Sequence, residues 1–346
     1  MKIVIVSDAW HPQVNGVVRT LSMVTAELQA MGHIVEVLGP DRFPTIALPT
    51  YASIKLAVFP GRRLARLIEA VRPEALHIAT EGPLGWAARR WAIRNRVPFS
   101  TSFHTRFPEY LHARTRIPLA LGYALMRQFH NRAGATLVAT NSLRNELAAR
   151  GFKHLRSWTR GVDLDRFQPG DSDPYAGLPR PIFLYVGRIA VEKNLGEFLR
   201  LDLPGTKIVI GEGPQRDALE RTHPHARFLG PRHGADLAQA YAAADAFVFP
   251  SMTDTFGLVL LESLACGTPI AAHPVTGPAD ILEGAAPGVG ALDQDLRAAA
   301  IRALDGDRAA CRRHAERFSW RACAEAFLAH LIQVPARPHA RRREIV

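Results

Sequence analysis

Cysteine is scarce in this chain. It occupies only three of 346 positions, Cys266, Cys311 and Cys323, and this number and spacing exclude both a disulfide framework and a zinc site. Long apolar runs are also missing, since none approaches the roughly 18–20 residues of a membrane-spanning helix. The N-terminus has no signal-peptide pattern, because its apolar run is short and no small-residue cleavage site follows. We therefore expect a cytoplasmic protein, either soluble or bound peripherally to the inner face of the membrane.

Lysine is scarce as well, and the positive charge is unevenly distributed. Lysine accounts for 5 of the 43 basic residues, and the net charge is +11. Residues 1–175 hold 23 Lys and Arg against 13 Asp and Glu, whereas residues 176–346 hold 20 against 19. A GC-rich genome would explain the preference for arginine but not this asymmetry. The basic first half indicates an anionic partner, such as nucleic acid, a membrane surface or an acidic substrate.

Strand-like and helix-like segments alternate through both halves of the chain. The composition, 47% hydrophobic and 22% charged, is that of a globular protein, and the length suggests about two domains. The alternation predicts an α/β fold with doubly wound parallel sheets, whose ligands bind beyond the carboxyl ends of the strands. The predicted strands are Lys2–Ser7, Ile34–Leu38, Ala75–Ala79, Phe99–Phe103, Ala135–Ala139, Ile182–Val186, Lys207–Ile210, Ala226–Leu229, Ala246–Phe249 and Pro269–Ala272.

A segment rich in Pro, Gly and Asp separates two halves of similar size. We predict one long helix over Ile117–Ala133 and a last amphipathic helix over Trp320–Ile332. The predicted organisation is an N-terminal Rossmann-like domain at 1–168, a linker at 169–180, a C-terminal Rossmann-like domain at 181–319, a helix at 320–334 that packs back toward the first domain, and a disordered basic tail at 335–346.

The stretch Ser251–Pro269 combines a turn, an apolar helix and two acids. Backbone amides at a helix start favour an anion. Asp254 lies before the helix and Glu262 lies inside it, so a ligand with phosphates between two hydroxyl-bearing ends would fit. That description matches a nucleotide sugar.

Glycines occupy the exits of three further strands, at Gly16, Gly187, Gly211 and Gly213. Backbone without a Cβ can approach a phosphate closely, although each of these glycine patterns alone equally predicts a tight turn. Arg188 and Lys193 share one strand-to-helix loop, where Arg can grip a pyrophosphate bidentately and Lys acts as a point charge. The alternative for this loop is a solvated basic surface.

The ordered set of motifs resembles the retaining GT-B glycosyltransferases of family four. The motifs that carry the resemblance are PQVNG from Pro12, GVDLDRFQP from Gly161, GRIAVEKN from Gly187, GEGP from Gly211, YAAADAFVFPS from Tyr241 and DTFGLVLLESLACGTP from Asp254. The match covers nearly the whole chain and is strongest from Gly161 to Pro274. It implies a GT-B fold, in which two Rossmann-like, doubly wound domains face each other across a cleft.

The resemblance also implies roles for individual residues. The implied donor site consists of Gly16, Gly187, Arg188, Lys193, Gly211, Gly213, Asp254, Phe256, Gly257, Leu258 and Glu262. Within it, Arg188 and Lys193 would bind the diphosphate and carry the leaving charge, so no metal or other cofactor is expected. Glu262 would bind the ribose hydroxyls, and Asp254, where the family usually has Glu, would contact the transferred sugar. His104 would lie near the reacting face of the sugar and would complete the catalytic group of His104, Asp254, Arg188 and Lys193; the sequence alone favours a packed or hydrogen-bonded histidine at this position, and the resemblance reverses that preference.

The resemblance implies transfer of a hexose or uronic acid from a UDP- or GDP-linked sugar, with retention of configuration. The acceptor would be a lipid, such as diacylglycerol or a glycolipid, because the chain is similar to mannosyl, glucosyl, glucuronosyl and sulfoquinovosyl transferases that modify lipids. The basic segments Arg62–Arg72 and Arg89–Arg96, with Trp86, Trp91 and Phe107 nearby, would suit an anionic membrane surface or are simply solvated. The alternatives are a soluble sugar or polysaccharide acceptor and, ranked lower, a nucleic-acid-binding protein, which would leave the C-terminal motifs unexplained.

Overall fold

Two parallel sheets organise the chain in the computed structural model, which describes residues 1–13, 15–48 and 51–335. Within these residues, each sheet has six strands and is flanked by helices, and a separate antiparallel hairpin follows the second strand. The strands are β1 (Lys2–Val6), β2 (Ile34–Leu38), β3 (Thr45–Leu48), β4 (Tyr51–Ala57), β5 (Ala75–Ile78), β6 (Ser100–Phe103), β7 (Ala135–Val138), β8 (Leu155–Ser157), β9 (Ile182–Val186), β10 (Thr206–Ile210), β11 (Arg227–Phe228), β12 (Ala246–Phe249), β13 (Ile270–Ala272) and β14 (Gly290–Leu292).

Helices connect the strands. They are α1 (Gly16–Ala30), α2 (Gly61–Val71), α3 (Pro83–Arg94), α4 (Phe107–Thr115), α5 (Leu119–His130), α6 (Asn141–Ala149), α7 (Leu195–Arg200), α8 (Arg216–Thr222), α9 (Gly234–Ala242), α10 (Leu258–Ala265), α11 (Pro278–Ile281), α12 (Leu296–Ala303), α13 (Arg308–Ala315) and α14 (Trp320–His330). In the described part of the chain, none is both long and apolar enough to cross a bilayer.

The strand orders confirm two doubly wound α/β sheets. The first sheet runs β2-β1-β5-β6-β7-β8, and the second runs β11-β10-β9-β12-β13-β14. All pairings within the two sheets are parallel. Strands β5, β6, β7, β9 and β12 are buried along their whole length, which explains why most of them read as continuous apolar runs. In each sheet the order in which strands are added reverses beside the first strand, so that β2 and β5 lie on opposite sides of β1, and β10 and β12 lie on opposite sides of β9. A crevice that can hold a ligand opens at such a switch point.

The predicted helix over Ile117–Ala133 corresponds to α5 (Leu119–His130), which begins two residues later and ends three residues earlier. The preceding helix, α4, has no counterpart among the sequence predictions, and it is separated from α5 by a turn in which Arg116 adopts a left-handed backbone conformation (φ 60°). Pro118 immediately precedes α5 with an extended ψ of 133°, so the helix cannot begin earlier. Four further strands have no counterpart among the sequence predictions: the hairpin β3–β4 and the three-residue strands β8 and β14, which are too short or too weakly patterned.

The C-terminal helix α14 packs against the first domain. It lies against α1, and the indole Nε1 of Trp158 donates a hydrogen bond to the main-chain oxygen of Cys323 at 3.0 Å. Phe327 is fully buried, with its ring 5.1 Å from that of Trp158 and 4.8 Å from that of His77. The end of the chain thus fills the core of the N-terminal sheet. The expected basic tail lies, from residue 336 onward, outside the described residues.

The two domains also contact each other through polar side chains outside the central cleft. At the start of α6, the amide and hydroxyl of Ser142 both donate to the carboxylate of Asp280, at 2.9 and 2.8 Å. The guanidinium of Arg106 binds Glu146 bidentately at 2.9 and 2.7 Å and donates to the hydroxyl of Thr276 at 3.3 Å. These bonds hold the carboxyl ends of the two sheets face to face.

Replacement of Phe327 by alanine tests whether α14 is part of the first domain's core. We expect Phe327→Ala to lower the free energy of unfolding by about 3–5 kcal/mol, because it removes a fully buried ring and leaves a cavity. Urea unfolding followed by tryptophan fluorescence measures the change. Phe59→Ala is the matched control, since Phe59 is 95% exposed and its loss is expected to change little. Equal unfolding midpoints for the two variants would contradict the packing of α14.

Candidate active site

The carboxyl ends of strands from both sheets meet at one cleft. His104 directly follows β6 of the first sheet, and the loop of residues 250–257 follows β12 of the second. The hydroxyl of Thr255 donates to the main-chain oxygen of His104 at 2.7 Å. The two segments that the sequence singles out therefore touch across the domain boundary.

The loop of residues 250–257 leads into a buried helix. Gly257, at the start of α10, has a left-handed backbone (φ 92°) that a residue with a side chain adopts only with strain. From there the apolar residues Leu260, Leu261 and Leu264 are fully buried, which anchors α10 in the second domain. Gly277 packs against this turn, and a Cβ on Gly277 would lie only 2.7 Å from the carbonyl oxygen of Phe256. The Thr255–Gly257 turn is thereby fixed from both sides.

Glu262, in the second turn of α10, is a buried acid with two donors. It is 3% exposed; Arg19 of α1 forms an ion pair with its Oε1, and the hydroxyl of Tyr241 donates to its Oε2 at 3.0 Å. Burial raises the pKa of Glu262, and the charge of Arg19 and the hydrogen bond from Tyr241 act in the opposite direction. This pair joins the two domains, since Arg19 belongs to the first and Glu262 to the second.

Sequence reasoning missed both partners of Glu262. The motif around Tyr241 predicts a residue that only packs in the core, yet its hydroxyl donates a hydrogen bond to the carboxylate of Glu262. For Arg19 the sequence holds one signal: it is the single charged residue in the first two turns of an otherwise apolar helix. Its partner lies 243 positions away, so no local pattern identifies the contact.

Lys193 and Asp254 form the second ion pair of the cleft. The Nζ of Lys193 lies 2.5 Å from Oδ1 of Asp254, and both side chains are mostly buried. The other oxygen of Asp254, Oδ2, is buried and has no hydrogen-bond partner in the described parts of the chain. The neighbouring Asn194 has a left-handed backbone (φ 53°), and the Nδ2 of its side chain donates a hydrogen bond to the carbonyl oxygen of Pro250 at 3.3 Å. Lys193 is therefore held against the loop that carries Asp254.

Arg188 occupies the exit of β9, five positions before Lys193. Its Nη2 pairs with Oε1 of Glu192 at 2.5 Å, and its side chain is 40% exposed at the cleft. Both cations of the predicted diphosphate loop thus contact carboxylates of the second domain. A bound anion at this place would compete with those carboxylates for the same charges.

The glycines at the exits of β9 and β10 are explained by chain packing. A Cβ on Gly211 (φ 147°) would lie 1.9 Å from the carbonyl oxygen of Gly187, and one on Gly213 (φ 159°) would lie 2.3 Å from that of Ile189. These distances are far inside van der Waals contact, so only glycine allows the two loops to pack together. In this structure the close approach is between two protein segments.

Gly16 begins α1, directly opposite the start of α10. A Cβ on Gly16 would lie 3.8 Å from Cδ1 of Leu258, which is ordinary van der Waals contact. The preceding Asn15 is extended (φ −159°) and caps α1, because its Oδ1 accepts hydrogen bonds from the amides of Val17 and Val18 at 3.0 Å. Two helix N-termini, with their positive dipole ends, therefore converge on the cleft from opposite domains.

His104 is 9% exposed at the carboxyl end of β6. Burial and the charge of Arg160 hold its pKa well below the ordinary value of 6.5, so the ring is neutral at physiological pH. Its Nε2 has no hydrogen-bond partner among the residues described. A neutral histidine at this position can offer or accept one hydrogen bond from a ligand.

The predicted site residues fall into two groups. Gly16, His104, Lys193, Asp254 and Glu262 come together along the cleft, with Arg188 and the Phe256–Leu258 turn beside them. Gly187, Gly211 and Gly213 shape the loops behind them. Across the described ranges, no group of three or more His, Cys, Asp and Glu side chains is arranged to hold a metal ion.

The aromatic residues expected at a membrane surface are engaged within the first domain. The indole Nε1 of Trp91 donates to Glu69 at 3.0 Å, which joins α3 to α2. The guanidinium of Arg89 stacks over Trp86 at 5.2 Å and donates to the main chain of α5. Phe107, by contrast, is 46% exposed on α4.

Comparison with known proteins matches both halves of the chain to models of glycosyltransferase domains. Residues 14–166 match the domain described as Glycosyltransferase Family 4, and residues 180–306 match the domain described as Glycosyl transferases group 1. A GDP-mannose-dependent alpha-mannosyltransferase of Mycobacterium tuberculosis is 30% identical and covers 82% of this chain, which spans 81% of that protein. The sulfoquinovosyl transferase SQD2 of Arabidopsis thaliana is 34% identical over 71% of this chain and 51% of its own length.

Solved structures show the same fold at low sequence identity. HepE of Anabaena, solved with UDP and glucose, superposes with a TM-score of 0.70 at 15% identity and covers 95% of this chain and 98% of its own. The sucrose-phosphate synthase of Thermosynechococcus elongatus gives a TM-score of 0.73 at 21% identity, covering 95% and 97%. These comparisons confirm the expected GT-B arrangement of two Rossmann-like domains.

Replacement of Arg19 by methionine tests the ion pair across the cleft. We expect Arg19→Met to lower the free energy of unfolding at neutral pH by about 1–3 kcal/mol, because the buried carboxylate of Glu262 loses its cation. The loss of Arg19 raises the pKa of Glu262 further above its ordinary 4.5. A carboxyl group with a raised folded-state pKa binds more protons in the folded than in the unfolded protein, so stability falls as pH rises from the ordinary to the raised pKa.

The cost of Arg19→Met should therefore be small below pH 4.5 and reach its full size at neutral pH, as measured by urea unfolding across this range. The control is the same substitution in a Glu262→Gln background, where no charge needs a partner and the pH dependence should disappear. A cost that is independent of pH and persists in that background would show that Arg19 contributes only packing.

Proposed function

This chain belongs to the glycosyltransferase family whose two domains it matches, and we propose that it is a retaining enzyme acting on a nucleotide sugar. It would transfer a hexose or uronic acid from a UDP- or GDP-linked donor to a lipid such as diacylglycerol or a glycolipid, at the cytoplasmic face of the membrane. The observation that carries the proposal is the convergence of two helix N-termini, two cations and the buried Glu262 on one cleft.

The diphosphate of the donor would bind between Gly16 and the Arg188–Lys193 loop. The N-termini of α1 and α10 provide partial positive charge, and Arg188 and Lys193 provide full charges. These charges lie where negative charge develops as the nucleoside diphosphate leaves, so they stabilise the transition state more than the ground state. Because the protein itself supplies this charge, we propose that transfer proceeds without a metal ion.

Donor binding would rearrange the carboxylate partners of the cleft. A diphosphate offers Lys193 a more highly charged partner than Asp254, to which it is bound at 2.5 Å. Asp254 would then accept hydrogen bonds from hydroxyls of the transferred sugar, for which its unpartnered Oδ2 is suited. Glu262 would bind the ribose hydroxyls, which requires Arg19 to share or release Oε1. For retention, the acceptor would attack on the face the phosphate leaves and pass its proton to that phosphate.

Relatives and an exposed apolar surface support a lipid acceptor. The curated relatives include a sulfoquinovosyl transferase and an alpha-monoglucosyldiacylglycerol synthase of Acholeplasma laidlawii, 26% identical over 78% of this chain. On α5, Leu121 and Leu125 lie one helical turn apart and are 63% and 43% exposed. The adjoining α4 carries Tyr110, whose pKa is raised by burial and by the nearby charge of Asp254 in the cleft. An apolar surface next to the cleft would let a lipid reach the donor from the membrane.

Thermal-shift measurements with UDP, GDP and their sugars test the donor site. We expect at least one nucleoside diphosphate to raise the melting temperature, because a ligand that binds only the folded state stabilises it. Arg188→Ala and Lys193→Ala should each remove most of this shift. Lys153→Ala and Arg221→Ala are matched controls, since both residues are exposed and remote from the cleft motifs. Full retention of the shift in both cleft variants would refute the diphosphate site.

Asp254→Asn separates the sugar contact from the diphosphate contact in the same assay. It should keep the shift caused by the nucleoside diphosphate but reduce the turnover of the complete donor, because it removes the charge that would orient the sugar. Loss of nucleoside diphosphate binding in Asp254→Asn would contradict its assignment to the sugar.

Co-sedimentation with vesicles tests the acceptor side. We expect binding to vesicles that contain phosphatidylglycerol, weakening with salt, and transfer of radiolabelled sugar to diacylglycerol in them. Replacing Leu121 and Leu125 together by serine should reduce both the binding to these vesicles and the transfer of sugar. Ile34→Ser is the control, since Ile34 is 61% exposed at the amino end of β2, away from the carboxyl ends of the strands that meet at the cleft. An enzyme that turns over a soluble sugar and ignores these vesicles would favour the soluble acceptor instead.

A further inference from the structure

A buried arginine contacts the ring of His104. Arg160 lies in the segment that follows β8 and is 4% exposed. Its Nη2 is 3.3 Å from Nδ1 of His104, and its Nη1 donates to the carbonyl oxygen of Thr159 at 3.0 Å. The guanidinium stacks over the ring of Trp158 at 4.1 Å, and that indole ring packs edge-on against His104 at 5.7 Å. Arginine, tryptophan and histidine therefore hold one another in a fixed arrangement.

The direction of the Arg160–His104 hydrogen bond follows from its chemistry. A guanidinium has five N–H donors and no acceptor, so Nδ1 of His104 must accept. An imidazole whose Nδ1 accepts cannot carry a proton on that nitrogen, and in the neutral ring the proton then lies on Nε2. Nε2 is the atom that is buried without a partner in the described residues. The unpartnered atom is thus a hydrogen-bond donor.

The groups around His104 oppose its protonation. Arg160 remains a cation at neutral pH, although burial lowers its pKa to about 10. His77 on β5 has its pKa lowered to about 3 by burial and is neutral, and His130 on α5 pairs with Glu81 at 3.0 Å. Cys323 of α14 faces Arg160 as a neutral thiol, since burial raises its pKa to about 11. From the second domain, Thr255 binds the main-chain oxygen of His104, next to Asp254.

We propose that Arg160 is a positioning residue that fixes His104 as the neutral tautomer protonated on Nε2, so that His104 donates a hydrogen bond to an oxygen of the bound donor and does not act as a base. This inference rests on the proposed function for the identity of the ligand. It excludes His104 as the base that takes the acceptor's proton, since His104 has no free lone pair, and it therefore agrees with the transfer of that proton to the departing phosphate. The oxygen that His104 contacts belongs either to the phosphate or to the transferred sugar.

Nitrogen-15 NMR of the histidine rings in the full chain tests the tautomer directly and without any turnover. We expect the signals lost in His104→Gln to show a protonated Nε2 and a bare Nδ1 at pH 7, with no titration near the ordinary pKa of 6.5. An Nδ1-protonated ring, an equal mixture, or a pKa near 6.5 would overturn the proposal. This readout is independent of the donor, so it fails separately from the proposed function.

Variants of Arg160 test its part in the arrangement. In Arg160→Met, the Nδ1 partner and the nearby charge are gone, so the nitrogen shifts of His104 should move toward a mixture and its pKa should rise. The kcat should fall about threefold to tenfold with the donor KM little changed, and Arg160→Lys, which retains a donor-only cation, should restore part of it. Unchanged nitrogen shifts in a folded Arg160→Met protein would show that Arg160 does not set the tautomer.

Two substitutions of His104 itself keep the proposal testable if Arg160 variants do not fold. Glutamine can place an N–H donor near the position of Nε2, whereas asparagine cannot reach it, so His104→Gln should retain at least tenfold more transfer than His104→Asn. Equal activities of the two would count against a donor at Nε2. Titration of the wild-type protein with UDP or GDP, and then with the sugar nucleotide, identifies the oxygen: a shift of Nε2–H with the diphosphate alone assigns the phosphate, and a shift only with the sugar nucleotide assigns the sugar.

Discussion

The ion pair between Arg19 and Glu262 is the contact on which the geometry of the cleft depends. It links the first turns of α1 to the second turn of α10, and so brings the N-termini of two helices from different domains together. A buried carboxylate without a cation lowers the stability of the fold. Here the first domain supplies the cation, Arg19, for the carboxylate of Glu262 in the second domain. This ion pair consequently joins the two domains at the cleft through charges for which a nucleotide sugar would have to compete.

The same principle applies at the second ion pair. Lys193 and Asp254 neutralise each other within one domain, and Arg188 is paired with Glu192. In the proposed mechanism an incoming diphosphate competes for these cations and leaves Asp254 with both oxygens available. The exchange gives the diphosphate two cations and releases the carboxylate of Asp254, for which the hydroxyls of the transferred sugar would be new hydrogen-bond partners. In this mechanism Asp254, shorter than the usual Glu of the family, would contact the transferred sugar.

The first domain contributes His104 and the residues around it to the same cleft. The ring is neutral, and its main-chain oxygen accepts a hydrogen bond from Thr255 of the second domain. In the proposed mechanism the donors and cations of the site surround the departing phosphate, and no strong base is proposed beside the acceptor. That distribution agrees with a mechanism in which stabilising the leaving group is the main task of the protein.

The sequence by itself determined the α/β class, the doubly wound sheets and the family, because strand periodicity and the spacing of glycines and charges are local properties. Local signals missed the helix α4 and the three-residue strands β8 and β14. The tertiary structure alone decided that Glu262 pairs with Arg19 and that Arg160 contacts His104, over separations of 243 and 56 positions. The physical reason is that such partners are chosen by the packing of two sheets against each other, and the charge of a residue does not specify which distant residue will meet it.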